Sequence, residues 1–299
     1  MKRVIPDSVH SGAPSTVPEL PEEEISEKID EIADLWKRGE LIVYLGPDLY
    51  PERPDFPTDP KGLASLLSGR VAVPGRLAGR LHEIAQYIES HKHRKTLLSL
   101  MEEIFLKKVT PSPVHRLLQR FPVPLVVDTW YSPDSSESLV GPGDVQISGV
   151  SRAEYRDRWF RIDRRTTSGW EPAEEVPAGA RVLYRPLGTL DPQVEVLVSD
   201  ADFVEVLTEI DIQTPIPQFV QQHRSRRHFL FLGCRFDNQT SRIFARQIMK
   251  RSSTSHFVVR SGTIPGKEQL FYEREGVARL SLSLNEGFLP ELEQRLRLG

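Results

Sequence analysis

Residues 39–50 read Gly39-Glu40-Leu41-Ile42-Val43-Tyr44-Leu45-Gly46-Pro47-Asp48-Leu49-Tyr50. The five apolar residues at 41–45 follow a segment with helical spacing and end at a glycine. A short apolar run of this kind is typical of a strand that is buried on both faces of a parallel sheet. Ligands of open α/β sheets bind beyond the carboxyl ends of such strands, so the loop after Leu45 is expected to border a ligand site.

Two more apolar runs have the same character, at 125–128 and 229–232. Helical patterns alternate with these runs along the chain, which favours an α/β fold. We predict a Rossmann-like, mostly parallel sheet with helices on both faces. The carboxyl ends of the three strands are expected to converge on one cleft between Gly46, Trp130 and Gly233.

The chain divides into an arm and one domain. Residues 1–20 are rich in Pro, Ser and Gly and lack a hydrophobic period, which indicates an N-terminal arm. Residues 21–299 form the predicted α/β domain, with a helical excursion at 60–108 and an irregular insertion at 133–180. Within the insertion we expect at most short strands near 145–147 and 159–162, and after it a strand pair at 181–190 and 194–198.

Composition excludes several classes of protein. The chain has 39 Lys and Arg against 42 Asp and Glu, a net charge of −3, which argues against a general polyanion binder. One cysteine, Cys234, forms no internal disulfide and cannot build a cysteine-based zinc ribbon. Without a membrane-length apolar run or the apolar core of a signal peptide, a reducing, cytoplasmic location is the simplest expectation.

Two basic runs leave alternatives open. The run at 91–95 holds two histidines and suits a phosphate or metal site, although a solvated turn between helices is favoured. The run at 223–228 suits a nucleic-acid patch, but aromatic residues are not interleaved with it, and a solvated edge before a buried strand is favoured. We therefore expect neither a metal nor nucleic acid to bind.

Four short motifs follow one another across residues 40–285. They are Leu41–Gly46 with Pro47-Asp48-Leu49-Tyr50; Pro113-Val114-His115-Arg116-Leu117-Leu118 with Asp128-Thr129-Trp130-Tyr131-Ser132; Arg185-Pro186-Leu187-Gly188-Thr189-Leu190 with Val196–Phe203; and Leu230-Phe231-Leu232-Gly233-Cys234-Arg235-Phe236-Asp237. In order and spacing they resemble the bacterial sirtuin-like family, the NAD-binding Rossmann-type relatives of the silent information regulators.

The departures from that family bear on function. In active relatives the resemblance implies an Asn that holds the nicotinamide ribose and its water, and a His that transfers a proton; the corresponding residues here are Trp130 and Leu187. In the phosphate loop Pro47 offers no N–H, and Asp48 brings a negative charge. The lost hydrogen bond and the like charge together cost about 5–7 kcal/mol.

The resemblance thus implies a vestigial pocket with no catalytic group and no bound cofactor. Its residues are Gly46, Pro47, Asp48, Tyr50, Trp130, Leu187, Gly233 and Asp237. Trp130, together with Tyr50, is expected to occupy the volume of the missing ribose. The favoured function is a binding or regulatory subunit that contacts another protein through its arm or its cleft. The alternative is an NAD hydrolase like the family's anti-phage defence enzymes, with chemistry relocated to Asp48, His115 or Asp128.

Overall fold

The run at 41–45 becomes an inner strand of a nine-stranded sheet. The computed structural model describes residues 21–50, 56–105, 110–151, 158–209 and 216–298. The predicted arm at 1–20 lies outside the described residues. The strands are β1 Leu41–Leu45, β2 Leu125–Asp128, β3 Val145–Gly149, β4 Phe160–Arg165, β5 Trp170–Ala173, β6 Val182–Arg185, β7 Gly188–Thr189, β8 Glu195–Val196, β9 His228–Leu232, β10 His256–Val259 and β11 Val277–Leu280.

Eleven α-helices are seen in the described residues. They are α1 Glu22–Lys37, α2 Pro60–Arg70, α3 Leu81–Lys92, α4 Arg94–Phe105, α5 Pro113–Arg120, α6 Asp134–Leu139, α7 Asp200–Glu209, α8 Gln218–His223, α9 Gln239–Met249, α10 Gly266–Glu275 and α11 Leu289–Arg297. None of the helices in this part of the chain has the length and apolar character needed to cross a membrane.

The strand order of the large sheet is β11-β10-β9-β1-β2-β6-β3-β4-β5. Strands β11 through β3 are parallel, and only β4 and β5 add antiparallel pairs at one edge. The register places Leu45 opposite both Asp128 and Leu232, so the carboxyl ends of β1, β2 and β9 are level. The predicted α/β, Rossmann-like fold and its three central strands are confirmed.

Two hydrophobic cores cover the two faces of this sheet. Alternate β1 residues point to opposite sides: Leu41, Val43 and Leu45 join one core, and Ile42 and Tyr44 join the other. The first core includes side chains from α1 to α5 and α11, and the second includes side chains from α7 to α10. This is the two-sided burial that the apolar runs predict.

The segment 133–180 is more regular than the sequence suggests. Its described residues form α6 and the strands β3, β4 and β5. These three strands belong to the main sheet. Strand β5 was not predicted, because its Trp-Glu-Pro-Ala sequence is half-exposed and has no apolar alternation. The expected pairing of 181–190 with 194–198 is also wrong in detail. Strand β6 belongs to the main sheet, and the antiparallel pair is β7 with β8.

The predicted helical excursion consists of α2, α3 and α4 in its described residues. The three helices pack on one another, and α3 also contacts α7. Asp59 caps α2 by accepting a hydrogen bond from the N–H of Gly62 at 2.6 Å. The turn before α3 and the start of α2 face the carboxyl edge of the sheet, so this excursion provides a second wall for the site.

Candidate functional site

A cleft of about 470 Å³ lies at the carboxyl edge of the sheet. Its floor is formed by residues after β1, β2 and β9, among them Gly46, Thr129 and Cys234. Its far wall comes from the helical excursion and includes Lys61 and His82. The volume falls in the ordinary range of small-molecule pockets, and its position is where parallel sheets hold their ligands.

A second cavity of about 230 Å³ adjoins the first. It lies over the ends of β9 and β10 and is lined by Thr58, Arg260 and Ser261 among others. Cys234 and Arg235 line both cavities. The side chain of Arg235 therefore stands where the two spaces meet.

The eight residues of the predicted pocket divide between these two cavities. The larger cleft contains Gly46, Pro47, Trp130, Leu187 and Asp237, and the smaller cavity contains Asp48, Tyr50 and Gly233. All eight therefore lie at the carboxyl edge of the sheet. The site is open, however, whereas we expected it to be filled.

The loop after β1 has its backbone donors engaged. The N–H of Gly46 donates to the carbonyl oxygen of Leu232 at 2.9 Å, and the N–H of Asp48 donates to that of Gly233 at 2.9 Å. Pro47 between them has no N–H. A Cβ added to Gly46 would lie 2.3 Å from the oxygen of Gly233, so the two loops touch directly. The backbone here does not fit the family's way of holding a pyrophosphate, which needs free N–H groups.

Asp48 is paired rather than isolated. Its carboxylate accepts a hydrogen bond from Nε of Arg235, and Nη1 of Arg260 lies 3.7 Å from Oδ2. Burial raises the pKa of Asp48, and the hydrogen bond and charge of Arg235 oppose that rise. Arg235 Nη1 also lies 3.9 Å from Oδ2 of Asp59. Two guanidinium groups therefore oppose the like-charge cost that the sequence assigns to Asp48.

Trp130 is buried, with 4% of its surface exposed. Its Nε1 donates to the carbonyl oxygen of Pro57 at 3.1 Å, and its ring packs against Phe105 and Tyr131. The burial that we predicted is observed, but the indole forms part of a wall and leaves the cleft open. Tyr50 also lines a wall: its ring stacks on His115 at 5.9 Å beside the smaller cavity. The expectation that these rings fill the pocket is wrong.

Two of the proposed substitute groups are sealed off from both cavities. Asp128 is 4% exposed, accepts from the backbone N–H of Trp130 at 3.0 Å and lies 3.9 Å from Nη2 of Arg185. His115 is fully buried between Ser112 and Ser135, each 2.8 Å from one ring nitrogen. Burial lowers the pKa of His115 to about 4. Neither residue lines the site, and Asp48 is the only one of the three that does.

His82 is a cleft residue that the sequence analysis missed. Its Nδ1 lies 2.9 Å from the carbonyl oxygen of Val198, which can only accept, so Nδ1 carries the proton and Nε2 is left as an acceptor. Its ring packs edge-on against Phe203 at 4.3 Å. Nε2 has no hydrogen-bond partner among the residues that the structure describes. In the sequence, His82 is a single histidine on the polar side of an amphipathic pattern. Nothing in that pattern indicates that it lines a cleft.

The two basic runs are partly structural. Arg94 is buried and bonds to Asp202 at 3.1 Å and to Glu195 at 3.1 Å, so the turn at 91–95 is not simply solvated. Arg224 is also buried and donates to the carbonyl oxygens of Gln247 and Ile248 at the end of α9. The expected solvated edge at 223–228 is therefore wrong for this arginine. No group of three or more potential metal ligands occurs in the described residues.

The fold and the site together define a Rossmann-like α/β protein with an open cleft at the carboxyl edge of its sheet. Residues 148–278 match the family model of the SIR2-like domain. The match supports a sirtuin-like assignment for this part of the chain, which contains the third and fourth of the motifs. No curated protein matches the chain.

Proposed function

We propose that this sirtuin-like protein is a binding or regulatory subunit that does not cleave NAD. The supporting observation is the wall of the larger cleft, where Trp130 and Leu187 stand at the positions that the family resemblance gives to Asn and His. An indole N–H only donates, and here it is already bonded to the carbonyl oxygen of Pro57, while a leucine neither donates nor accepts. Neither side chain can therefore take a proton or hold a water by two hydrogen bonds.

The burial of His115 and Asp128 supports the same proposal. Both are engaged in hydrogen bonds inside the protein, and neither borders the cleft. A general base must reach the proton that it removes within hydrogen-bond distance, directly or through one water. Moving the family's chemistry to either residue would require breaking the contacts that Trp130 and Ser135 make with them.

The test is incubation of the purified full chain with NAD and chromatographic measurement of nicotinamide. We expect no release above that of buffer. Release that scales with protein concentration and survives repurification would overturn the proposal. Trp130→Asn is also expected to stay inactive, because the backbone donors after β1 remain engaged.

His82 supports a second candidate, an NAD hydrolase with a relocated base. Within the described residues its Nε2 makes no hydrogen bond, and His82 lines the same cleft as Leu187. If nicotinamide is released, His82→Gln should abolish the release. His91→Gln is the matched control, because His91 also lies on α3 and also places Nδ1 at 2.9 Å from a carbonyl oxygen, that of Tyr87, but it is exposed.

The partner in the favoured function is another protein, bound through the cleft or through residues 1–20. The two routes are separable with a chain that lacks residues 1–20 and a Leu187→Arg variant that places a charge in the cleft. The full-length chain is co-expressed with a candidate partner, and recovery of the complex is compared among the three proteins. Equal recovery in all three would exclude both routes.

A further inference from the structure

The amino edge of the sheet, at the opposite end from the cleft, is formed by the turns that precede the parallel strands. The turn at 224–227 precedes β9, and the turn at 250–255 precedes the neighbouring strand β10. The two turns are joined directly, because the N–H of Ser253 donates to the carbonyl oxygen of Arg227 at 2.9 Å. Four arginines lie on them, which we call the amino-edge arginines: Arg224, Arg226, Arg227 and Arg251.

The amino-edge arginines have no carboxylate partner in the part of the chain that the structure describes. The acidic side chains before the neighbouring strands are paired with other arginines. Glu40, before β1, lies 3.0 Å from Nε of Arg38. Glu275, before β11, lies 2.7 Å from Nε of Arg246. The positive charge of the two turns is therefore not neutralised by these two carboxylates.

Arg224 is the buried member of the set, with 5% of its surface exposed. Its Nη1 donates to two carbonyl oxygens at the end of α9, at 2.7 and 2.8 Å, while its Nε has no partner among the described residues. Burial lowers the pKa of Arg224; Tyr184 opposes that shift, and the charge of Arg251 adds to it. The two guanidinium groups are thus close enough to repel each other.

Arg227 is held in place by backbone carbonyl groups. Its Nε donates to the carbonyl oxygen of Gly39 at 3.1 Å, and its Nη1 donates to that of His223 at 2.7 Å. Within the described residues its Nη2 makes no hydrogen bond. A guanidinium group that is already fixed loses little side-chain entropy when it binds a partner, so Arg227 is organised in advance for binding.

The other two arginines have a left-handed backbone conformation. The φ angle is 61° at Arg226 and 68° at Arg251, and both side chains are exposed. This region is ordinarily occupied by glycine or asparagine, because a Cβ crowds the backbone there. Strained positions of this kind cluster at functional sites. An arginine adds charge where glycine would fit with less strain, which favours a role in binding over a role in folding.

We propose that the amino-edge arginines form a docking surface for an acidic segment of a protein partner, one rich in Asp and Glu. Planar guanidinium groups pair with carboxylates through two parallel hydrogen bonds. The proposal goes beyond the proposed function, because this surface lies at the other end of the sheet from the cleft and is separate from residues 1–20.

A short acidic segment fits this surface better than a nucleic acid does. The whole chain has a net charge of −3, so the surface outside the amino-edge arginines is acidic on balance. Charges are screened beyond about 8 Å at physiological salt, so a short segment meets the arginines alone, whereas a long polyanion also meets the acidic remainder. Surfaces that bind single strands present aromatic rings to the bases, but here the rings of Phe219 and His223 stack on each other at 5.4 Å.

The experiment measures binding of a short, fluorescein-labelled oligo-glutamate peptide to the full-length protein by fluorescence anisotropy. An oligo-glutamine peptide and a single-stranded oligonucleotide with as many charges as the glutamate peptide are the comparison probes. The glutamate peptide should bind more tightly than either. The double variant Arg226→Gln/Arg251→Gln should bind it about tenfold more weakly than wild type, because two charge-assisted contacts are lost.

The matched control is the double variant Arg76→Gln/Lys95→Gln, which removes the same charge from two exposed side chains of the helical excursion. It should bind the glutamate peptide as wild type does. A second double variant, Arg226→Gly/Arg251→Gly, separates binding from folding. Glycine relieves the left-handed strain, so this variant should melt at a higher temperature and still bind the peptide more weakly.

Three results would overturn the proposal. The first is no binding of the glutamate peptide by wild type, or tighter binding of the oligonucleotide. The second is unchanged peptide affinity in a folded Arg226/Arg251 variant, with thermal melts as the check of folding. The third is an equal loss of affinity in the control variant, which would show that only the net charge matters. None of these results depends on whether the protein cleaves NAD.

Discussion

Nη2 of Arg185 donates to the backbone carbonyl oxygen of Trp130 at 2.7 Å. The same nitrogen donates to the carbonyl oxygen of Ser132 at 2.7 Å, and Nη1 donates to Oγ of Ser136 at 2.9 Å. Arg185 has no exposed surface. One side chain at the end of β6 therefore fixes the backbone that presents the indole to the cleft.

Arg185→Met should destabilise the protein by about 3–5 kcal/mol, because it leaves the buried carboxylate of Asp128 without its cation and frees two carbonyl oxygens. Urea denaturation followed by tryptophan fluorescence measures the change. Arg164→Met removes an exposed ion pair with Glu171 and should cost less than about 1 kcal/mol. Equal losses of unfolding free energy in the two variants would show that the buried network of Arg185 contributes no more than the exposed ion pair of Arg164.

Trp130→Ala should destabilise the protein by about 3–5 kcal/mol, because it deletes a buried ring that packs on Phe105 and Tyr131. Trp130→Phe keeps much of the packing and loses the bond to Pro57, so it should cost about 1–2 kcal/mol. Chemical denaturation of both variants tests the order. Stability that is unchanged in the Ala variant would mean that the ring is not a structural wall of the cleft.

Arg94→Met should destabilise the protein by about 3–5 kcal/mol, because it leaves Asp202 and Glu195 as buried carboxylates without a cation. The loss should be largest where the start of α4 meets α7, which hydrogen exchange measures at the backbone amides of the two helices. Arg38→Met breaks an exposed pair with Glu40 and should leave exchange unchanged. Uniform exchange in the Arg94 variant would contradict this role.

His115 should make stability depend on pH. Its pKa is lowered by burial to about 4 in the folded protein, against about 6.5 when unfolded. Between these values the unfolded chain binds the extra proton, so the histidine's contribution is complete above pH 6.5 and is lost as pH falls toward 4. The full contribution is about 3 kcal/mol.

The free energy of unfolding of wild type and His115→Gln, measured from pH 4.5 to 7.5, isolates this contribution. The difference between the two proteins should shrink as pH falls through the window. Buried carboxylates that do not contact the His115 network, such as Asp163, whose pKa is raised by burial, affect both proteins equally and cancel in the difference. A difference that is constant with pH would refute the assignment.

Most of the fold could be predicted from the apolar runs in the sequence. Strands β1, β2 and β9 are buried on both faces, and burial of this kind leaves a continuous apolar signal in the sequence. Strand β5 was missed since its residues are half-exposed at the sheet edge. The β6 pairing was misassigned because pairing partners depend on tertiary contacts that the local pattern of Val182–Arg185 does not contain.

The position of a site residue could be predicted where it follows directly from the path of the backbone. It could not be predicted where side chains from distant segments meet. Gly46 and Trp130 follow buried strands, so their place at the carboxyl edge follows from topology alone. Arg235 and Arg260 meet Asp48 only because β9 and β10 lie beside β1 in the folded sheet order. In the sequence their charges look like ordinary surface residues, and the openness of the cleft depends on the walls that α2 and α3 add.

The engaged backbone of Gly46 and Asp48 also limits how the chain can change in evolution. Their N–H groups hold the loop after β1 to the loop after β9, with Pro47 between them. Replacing Pro47 alone would add one backbone N–H donor. The flanking hydrogen bonds of Gly46 and Asp48 would still keep this segment from turning toward a ligand. Forming a backbone phosphate cradle would require inserted residues, so a library of single substitutions at 46–48 should yield no such variant, whereas a library of insertions should.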